Sequence, residues 1–270
     1  MNSITQPSSQ TRSPLAAVAV IVFAILQVVA TSLPTLGIGE PIGSQSQAVR
    51  TLITPAGWAF AIWGPLFTGS LVFAVYQALP AQRDNRLVGQ LRWPAAGAFA
   101  GNSVWAIYVQ FAGLSAVSVL VIGWTLVCLL SAYRRLTAWE PSYTTGERWC
   151  AVLPLSALAA WLTVATTVNI AASLRFHGVE ARGAEPLMSA AIVLVAAAIA
   201  GTALFRGRGN PAYAAVLLWA LSAIYAAGGS RAGAVAAAAA IAALLIVCGA
   251  FLGWRHSGRG RWLPSGGRER

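Results

Sequence analysis

Residues 15–34 read LAAVAVIVFAILQVVATSLP, twenty residues in a row without a charged side chain. A helix needs about 20 apolar residues to cross the ~30 Å hydrocarbon core of a bilayer. Seven more runs of similar length follow, at 57–79, 94–113, 115–133, 150–173, 187–205, 212–229 and 232–253. We therefore predict an all-α fold, a polytopic transmembrane helical bundle of about eight spans.

The charged residues lie between these runs. They make up only 9% of the chain, against 57% hydrophobic residues, and soluble domains carry far more charge. All eighteen basic residues are arginine, and the net charge is +11. The arginines are scattered over short connections and the tail, a pattern typical of membrane orientation rather than of nucleic-acid binding. We expect membrane lipids as partners and no nucleic acid.

The distribution of arginine predicts the orientation, because cytoplasmic segments collect positive charge. With the N-terminus inside, fourteen arginines are cytoplasmic and four are outside. The four outside are Arg50, Arg175, Arg182 and Arg231. Both termini are therefore expected in the cytoplasm, as a polar, disordered segment at 1–14 and a basic tail at 255–270. The lack of lysine is typical of GC-rich bacterial genomes and points to a bacterial cytoplasmic membrane.

The longest link between spans, residues 35–56, is called the first connection below and is predicted to lie outside. Its glycines and prolines predict a shaped loop rather than a helix. They are Gly37, Gly39, Pro41, Gly43 and Pro55. Two roles are open for it: a functional lid, as long loops often are, or a passive tether between spans.

Five of the eleven tryptophans lie deep in the spans, where an indole N–H should face protein. They are Trp63, Trp105, Trp124, Trp161 and Trp219. Asn102 precedes Trp105 by three residues, and Asn169 follows Trp161 by eight. An amide at membrane depth needs partners, so both asparagines should face the bundle. Either they join helices by hydrogen bonds, or they belong to an aromatic pocket for a flat apolar ligand.

The second span carries Pro65, which removes a backbone donor and should kink the helix. Trp63 and Phe67 are four residues apart and share a face. A kink beside aromatic rings can open a cavity.

Three patterns resemble the translocator protein, or tryptophan-rich sensory protein, family. The run PAGWAFAIWGPLF at 55–67 resembles its second helix. NSVW at 102–105 resembles its third-helix Asn-x-x-Trp, and WLTVATTVN at 161–169 its fifth-helix Trp-x-x-x-Ala-x-x-x-Asn. We identify the chain as a divergent, extended relative. The resemblance implies a five-helix translocator-like bundle at 15–174, followed by three additional transmembrane helices at 175–254.

The resemblance also implies a pocket beneath the first connection, because members of that family bind porphyrins and other planar hydrophobic ligands. Carried over position by position, the predicted ligand-binding residues are Trp58, Trp63, Asn102, Trp105, Trp161, Ala165 and Asn169. The function implied is an integral membrane receptor or carrier for a porphyrin-like tetrapyrrole or similar molecule. The alternative is a facilitative transporter of an uncharged hydrophobic metabolite.

Other function classes find less support in the residues. Ion-coupled transport commonly uses a carboxylate, histidine or arginine within the membrane, and the predicted spans contain none. They also lack a metal-ligand cluster and a nucleophile beside a base. We expect no enzymatic activity, no catalytic or metal site and no resident cofactor. For the last three helices three roles are open: covering the flank of the bundle, forming a homodimer, or extending the pocket.

Overall fold

The structure, a computed structural model, describes residues 14–181, 183–257 and 262. The described part is helical throughout, with no strand, which confirms the predicted all-α class. Its helices are α1 (Pro14–Ser32), α2 (Ile42–Ala48), α3 (Trp63–Ala78), α4 (Arg86–Ala112), α5 (Ala116–Ala138), α6 (Thr145–Glu147), α7 (Leu153–Phe176), α8 (Glu185–Arg206), α9 (Pro211–Ile224) and α10 (Gly233–Ser257). The predicted disordered N-terminus, Arg182 and most of the predicted basic tail lie outside the described residues.

Seven helical stretches of the described chain are long and apolar enough to cross a membrane. They are Pro14–Leu36, Gly57–Ala78, Ala116–Ala138, Thr145–Phe176, Glu185–Arg206, Pro211–Gly229 and Gly233–His256. A bundle of this kind places its apolar surface in the hydrocarbon of a bilayer. The chain is an integral membrane protein.

The third predicted span, residues 94–113, lies on α4, which is not among the seven. This helix has 27 residues and buries sixteen of them, mainly against α1 and α5. The buried face of α4 carries polar residues, among them Asn102 and Gln110, which lower the mean hydropathy of the helix, while its outward face is apolar at Val104 and Phe111. The turn at residues 113–115 folds α4 back along α5, which is apolar enough to span. We therefore count α4 as a membrane crossing, which brings the total to eight.

The α4 helix contains the charged residue Arg92, although the predicted spans contained no charged residue. The guanidinium of Arg92 is buried and donates from Nε to Gln77 Oε1 at 2.9 Å and from Nη2 to the Gln77 carbonyl at 3.0 Å. Gln77 in turn donates to the Ala17 carbonyl of α1 at 3.0 Å. The predicted span began at residue 94, but the helix begins at Arg86. The network ties α1, α3 and α4 together.

The last three helices form a layer in which α10 packs along α8. Small residues allow the close approach: a Cβ on Gly249 would touch the backbone of Gly201, and one on Gly201 would lie 3.2 Å from the Leu245 carbonyl oxygen. Glycine and alanine at such an interface let two backbones pack closely. Ala238, Ala239 and Ala242 of α10 are buried as well.

This layer covers the flank of the first five spanning helices. Asn210, which caps α9, donates to Ser156 Oγ of α7 at 2.8 Å, and the hydroxyls of Tyr213 and Thr163 lie 2.8 Å apart. The amide of Ala56 donates to the Ala223 carbonyl at 3.1 Å, which ties the first connection to α9. Of the three open roles for the last three helices, covering the flank is the one the structure shows.

Two local predictions were wrong. The first connection is not free of helix, because α2 forms directly after Pro41; Ile42 packs on the core and offsets the ~1 kcal/mol cost of Gly43 inside a helix. Pro65 does not lie in a helix interior. Gly57–Ile62 is a 3-10 segment and α3 begins at Trp63, so Pro65 lies in the first turn, where a missing N–H costs nothing.

Candidate ligand-binding site

An open cavity lies beneath the first connection, bounded by α2, the 3-10 segment, α4 and α7. Its empty space, counting the mouth, is about 480 Å³. We call it the aromatic cavity; it is lined by Ile42, Ser46, Pro55, Phe60, Trp63, Trp105, Leu114, Trp161, Val164, Ala165, Val168 and Asn169. None of these side chains is ionisable, so the lining is neutral.

Five of the seven predicted ligand-binding residues line this cavity. They are Trp63, Trp105, Trp161, Ala165 and Asn169. Three of them come from α7, whose spacing of four residues repeats one helix face at Trp161, Ala165 and Asn169. Ala165 is the small side chain between two larger ones, and it leaves the space that the cavity occupies.

Trp161 is the centre of an aromatic cluster. Its ring meets Trp63 edge to face at 6.0 Å between centroids and Phe60 edge to face at 6.2 Å. Trp63 stacks on Phe67 at 5.0 Å, which confirms that these two residues share a face. Edge-to-face and offset-stacked pairs of this kind hold rings in defined orientations. The wall of the cavity is therefore preformed.

The indole N–H of Trp161 has no hydrogen-bond partner, although the residue is only 2% exposed. A buried, unpaired donor is costly, and native structures contain few of them. The Trp161 residue lines the cavity, and its Nε1 atom is a buried donor within the cavity wall.

Asn169 fixes the opposite part of the wall. The Trp105 indole donates to Asn169 Oδ1 at 2.9 Å, and Asn169 Nδ2 donates to Ser118 Oγ at 2.7 Å. Ser118 donates in turn to the Ser115 carbonyl at 2.7 Å. This chain joins α4, α5 and α7, so Asn169 takes part in a helix–helix hydrogen bond and lines the cavity as well.

Trp58 and Asn102 lie away from the cavity. Trp58 is about half exposed and packs edge to face on Trp219, with centroids 4.8 Å apart. Trp58 lies near the start of the 3-10 segment, whereas Trp63 begins α3 and packs on Trp161, so the two indoles point to different sides. Asn102 donates to Gln27 Oε1 of α1 at 3.1 Å. Three residues correspond to ~60° around a helix, enough to direct Asn102 to α1 while Trp105 faces α7.

The deep tryptophans do not all face protein. Trp105 and Trp161 are buried, and Trp219 donates to the Ala59 carbonyl at 3.2 Å. Trp124 is 60% exposed and lies on the outward face of α5, so the expectation was wrong for it. One edge of the Trp124 ring lies against Gly101 of α4.

Sequence reasoning missed the residues of α2 that line the aromatic cavity. Ile42 and Ser46, one turn apart on α2, line the cavity from the first connection. The connection is held down at both ends: the Glu40 amide donates to the Gln110 carbonyl at 2.9 Å, and Ala56 bonds to α9 as described. Of the two open roles, this arrangement favours the lid. The four-residue spacing of Ile42 and Ser46 was the available signal.

A comparison with protein families finds a match over residues 14–252 with the family described as TSPO-like protein. The chain belongs to the TSPO-like family. The match runs through α8, α9 and into α10, so the last three helices fall within the matched region of this family member. Searches of curated proteins and of solved structures found no match. Among the described residues of this TSPO-like protein, no group of three or more His, Cys, Asp or Glu residues could hold a metal ion.

Proposed function

We propose that this TSPO-like protein is a membrane receptor or carrier for a planar hydrophobic ligand, such as a porphyrin-like tetrapyrrole, bound in the aromatic cavity. The observation that carries the proposal is the convergence of Trp63, Trp105 and Trp161 on one neutral cavity, with the Trp161 N–H unpaired. Indole faces and edges pack well against a flat conjugated ring. The free N–H would donate to an acceptor at the edge of that ring.

The neutral lining limits which part of a ligand can enter. A carboxylate inside the cavity would lose its hydration without gaining a charged partner, which is costly. We therefore propose that the flat apolar core of the ligand occupies the cavity and that any charged substituent stays at the mouth, beneath α2.

The test is direct binding by the full chain purified in detergent. A porphyrin, haem and a carotenoid-like molecule are titrated, and indole quenching and ligand absorbance are followed. We expect saturable binding of the planar ligands. Ala165→Leu, which adds bulk inside the cavity, should weaken it by about tenfold or more. The matched control is Ala198→Leu on the exposed face of α8, which should bind like the parent.

Equal affinity of the Ala165→Leu and Ala198→Leu proteins would contradict the site. Absence of saturation with every planar ligand would contradict the function. The alternative function is facilitated transport of an uncharged hydrophobic metabolite. Flux of a bound ligand across proteoliposome membranes, reduced by Ala165→Leu, would assign carriage rather than sensing.

We propose binding without catalysis and without a resident cofactor. The cavity presents indoles, one amide and one serine hydroxyl, but no group that serves as a general base at neutral pH. Illumination of a porphyrin complex is the sharpest check, because an indole near a photoexcited porphyrin can be oxidised without a base. We expect no bleaching beyond that of free porphyrin.

We also propose that both termini face the cytoplasm of a bacterial inner membrane. Eight crossings return the chain to its starting side. The described arginines divide unevenly between the two ends of the bundle, as the orientation rule requires. On the proposed outer end lie Arg50, Arg175 and Arg231. On the proposed inner end lie Arg83, Arg86, Arg92, Arg134, Arg135, Arg148, Arg206, Arg208 and Arg255. The aromatic cavity then opens toward the outer side.

A further inference from the structure

A second cavity lies on another face of α7, between that helix and the layer formed by α8, α9 and α10. Its empty space, counting its opening, is about 470 Å³. We call it the aliphatic cavity; it is lined by Ile53, Thr163, Val164, Thr167, Val168, Val193, Ala196, Ala197, Ala200, Leu217, Leu221, Ile224 and Ile246. Most of the wall comes from helices that the predicted five-helix bundle does not contain.

The chemistry of this lining is aliphatic. No aromatic ring contributes to it, in contrast to the aromatic cavity. The two hydroxyls are already engaged: Thr163 donates to Ala159 or pairs with Tyr213, each at 2.8 Å, and Thr167 donates to the Thr163 carbonyl at 3.0 Å. The lining of this cavity therefore offers a bound molecule neither a free polar group nor the face of an aromatic ring. Recognition has to come from dispersion contacts and the removal of apolar surface from water.

The cavity is elongated along the helices. Its wall on α8 runs from Val193 to Ala200, and its wall on α9 runs from Leu217 to Ile224. Each stretch covers seven residue steps, or about 10 Å at 1.5 Å per residue. Ile53 of the first connection lies at the outer end and is 1% exposed. The long axis therefore follows the direction of lipid chains in the surrounding bilayer.

We propose that the aliphatic cavity binds one acyl chain of a membrane phospholipid. The aliphatic side chains that line this open cleft lack neighbours on the open side, so they lose dispersion contacts unless an apolar group covers them. The bilayer supplies aliphatic chains at high concentration beside these helices. A free fatty acid fits less well, since no charged side chain lines the cavity to hold its carboxylate. The proposal is independent of any ligand in the aromatic cavity.

The test uses the full chain in vesicles of phosphatidylethanolamine and phosphatidylglycerol with a trace of phospholipid that carries a diazirine midway along one chain. After extensive washing in detergent, which removes loosely bound lipid, the sample is illuminated and labelled peptides are mapped. We expect label on Val193, Ala197 or Leu217 to survive the wash. Label on Val195 and Ile199, which point outward from α8, should be lost. Equal loss at both sets of positions would overturn the proposal.

A variant pair tests the location. Ala197→Phe fills the aliphatic cavity and should reduce retained label by about tenfold, the loss expected when roughly two methylene groups are displaced. Ile199→Phe changes the outward face of the same helix and should retain the parent level. Undiminished label in Ala197→Phe would overturn the site, and so would stronger retained labelling by a diazirine fatty acid than by the phospholipid. If Ala197→Phe does not fold, the label on the parent protein before and after the wash still tests the proposal.

Discussion

At the residue scale, the unpaired N–H of Trp161 makes a sharp prediction. Trp161→Phe keeps a ring in the cluster but removes the donor. Affinity for a planar ligand with an acceptor atom should fall about tenfold, the typical worth of one hydrogen bond. The ligand-free protein should not lose stability for lack of that hydrogen bond, because the donor has no partner to lose. Ligand titration and thermal unfolding in detergent measure the two effects.

The matched control is Trp124→Phe, on the outward face of α5. Its affinity for the planar ligand should equal that of the parent protein. A Trp161→Phe protein that binds as tightly as Trp124→Phe would show that the indole N–H does not reach the ligand.

Asn169 makes a prediction about stability. Asn169→Ala removes the acceptor for Trp105 and the donor to Ser118, and it leaves the Trp105 indole unpaired. Single side-chain hydrogen bonds between membrane helices are worth about 0.6 kcal/mol on average and up to about 1.7. Two such bonds predict a loss of roughly 1–3 kcal/mol in the free energy of unfolding, measured by denaturant titration in mixed micelles.

Comparison with Asn102→Ala separates this from a general effect of deleting a buried amide. Asn102 makes one side-chain bond, to Gln27, so its loss should be about half as large. A double-mutant cycle between Asn169→Ala and Trp105→Phe should show coupling. A second cycle, between Asn169→Ala and Asn102→Ala, should be additive, because the two asparagines share no hydrogen-bond partner. Additivity in both cycles would contradict the proposed network.

The five candidate residues that line the aromatic cavity were named by the resemblance, and spacing along one helix, which decides which side chains share a face, accounts for three of them. This reasoning holds for Trp161, Ala165 and Asn169, which all belong to α7. It failed for Asn102, because periodicity names a face of α4 but not the neighbouring helix that the face meets. Single polar residues such as Gln27 and Ser118 gave no local signal of their long-range partners. Their roles depend on tertiary contacts.

At the scale of elements, the first connection depends on the end of α9. There Tyr225–Gly229 widens into a π-helical turn, and a Cβ on Gly228 would overlap the Leu52 carbonyl oxygen. Gly228→Ala should therefore displace the neighbouring part of the first connection. We expect faster amide hydrogen exchange at residues 49–56 and faster ligand dissociation, because the lid is no longer held.

Gly123→Ala on α5 is the control, since a Cβ there meets no heavy atom within 4 Å. That change should leave exchange in the first connection unaltered, and alanine favours the helix by up to ~1 kcal/mol. If Gly228→Ala exchanges at the parent rate, the π-helical turn does not anchor the lid.

Two helices, α2 and α4, could not be predicted correctly from amino-acid composition alone. The α2 helix was hidden by Pro41 and Gly43, although its Ile42 packs on the core and stabilises it. The α4 helix is less apolar than the other spans because its buried face carries polar residues that pack against protein. Both follow from tertiary packing, which overrides local preference. The seven lipid-facing spans were predictable because hydrocarbon imposes its requirement directly on their sequence.

At the scale of the whole molecule, the proposed topology predicts which positions are reachable from outside the cell. In a background with Cys128, Cys150 and Cys248 replaced by alanine, Ile38→Cys on the first connection should react with a membrane-impermeant maleimide in intact cells. Ala81→Cys, between α3 and α4, should react only after the membrane is permeabilised. Both positions are exposed in the structure, so reactivity reports the side of the membrane. The opposite pattern would invert the topology.

The last three helices are integrated with the first five rather than appended to them. Trp219 packs on Trp58 and donates to the Ala59 carbonyl, while Ala223 accepts from Ala56. The outer layer thus holds the start of the second span and the end of the first connection. Removing that layer would expose one flank of α7 and release the lid from its far anchor.

Val164 and Val168 line both cavities, so a partition one side chain thick separates the two compartments. If an occupant of one compartment changes the preferred rotamer of either valine, it alters the fit on the far side. Thermodynamic linkage then requires reciprocity: each occupant changes the affinity for the other by the same factor. A valine partition of this kind would let the lipid composition of the membrane alter the affinity of the protein for the planar ligand in the aromatic cavity.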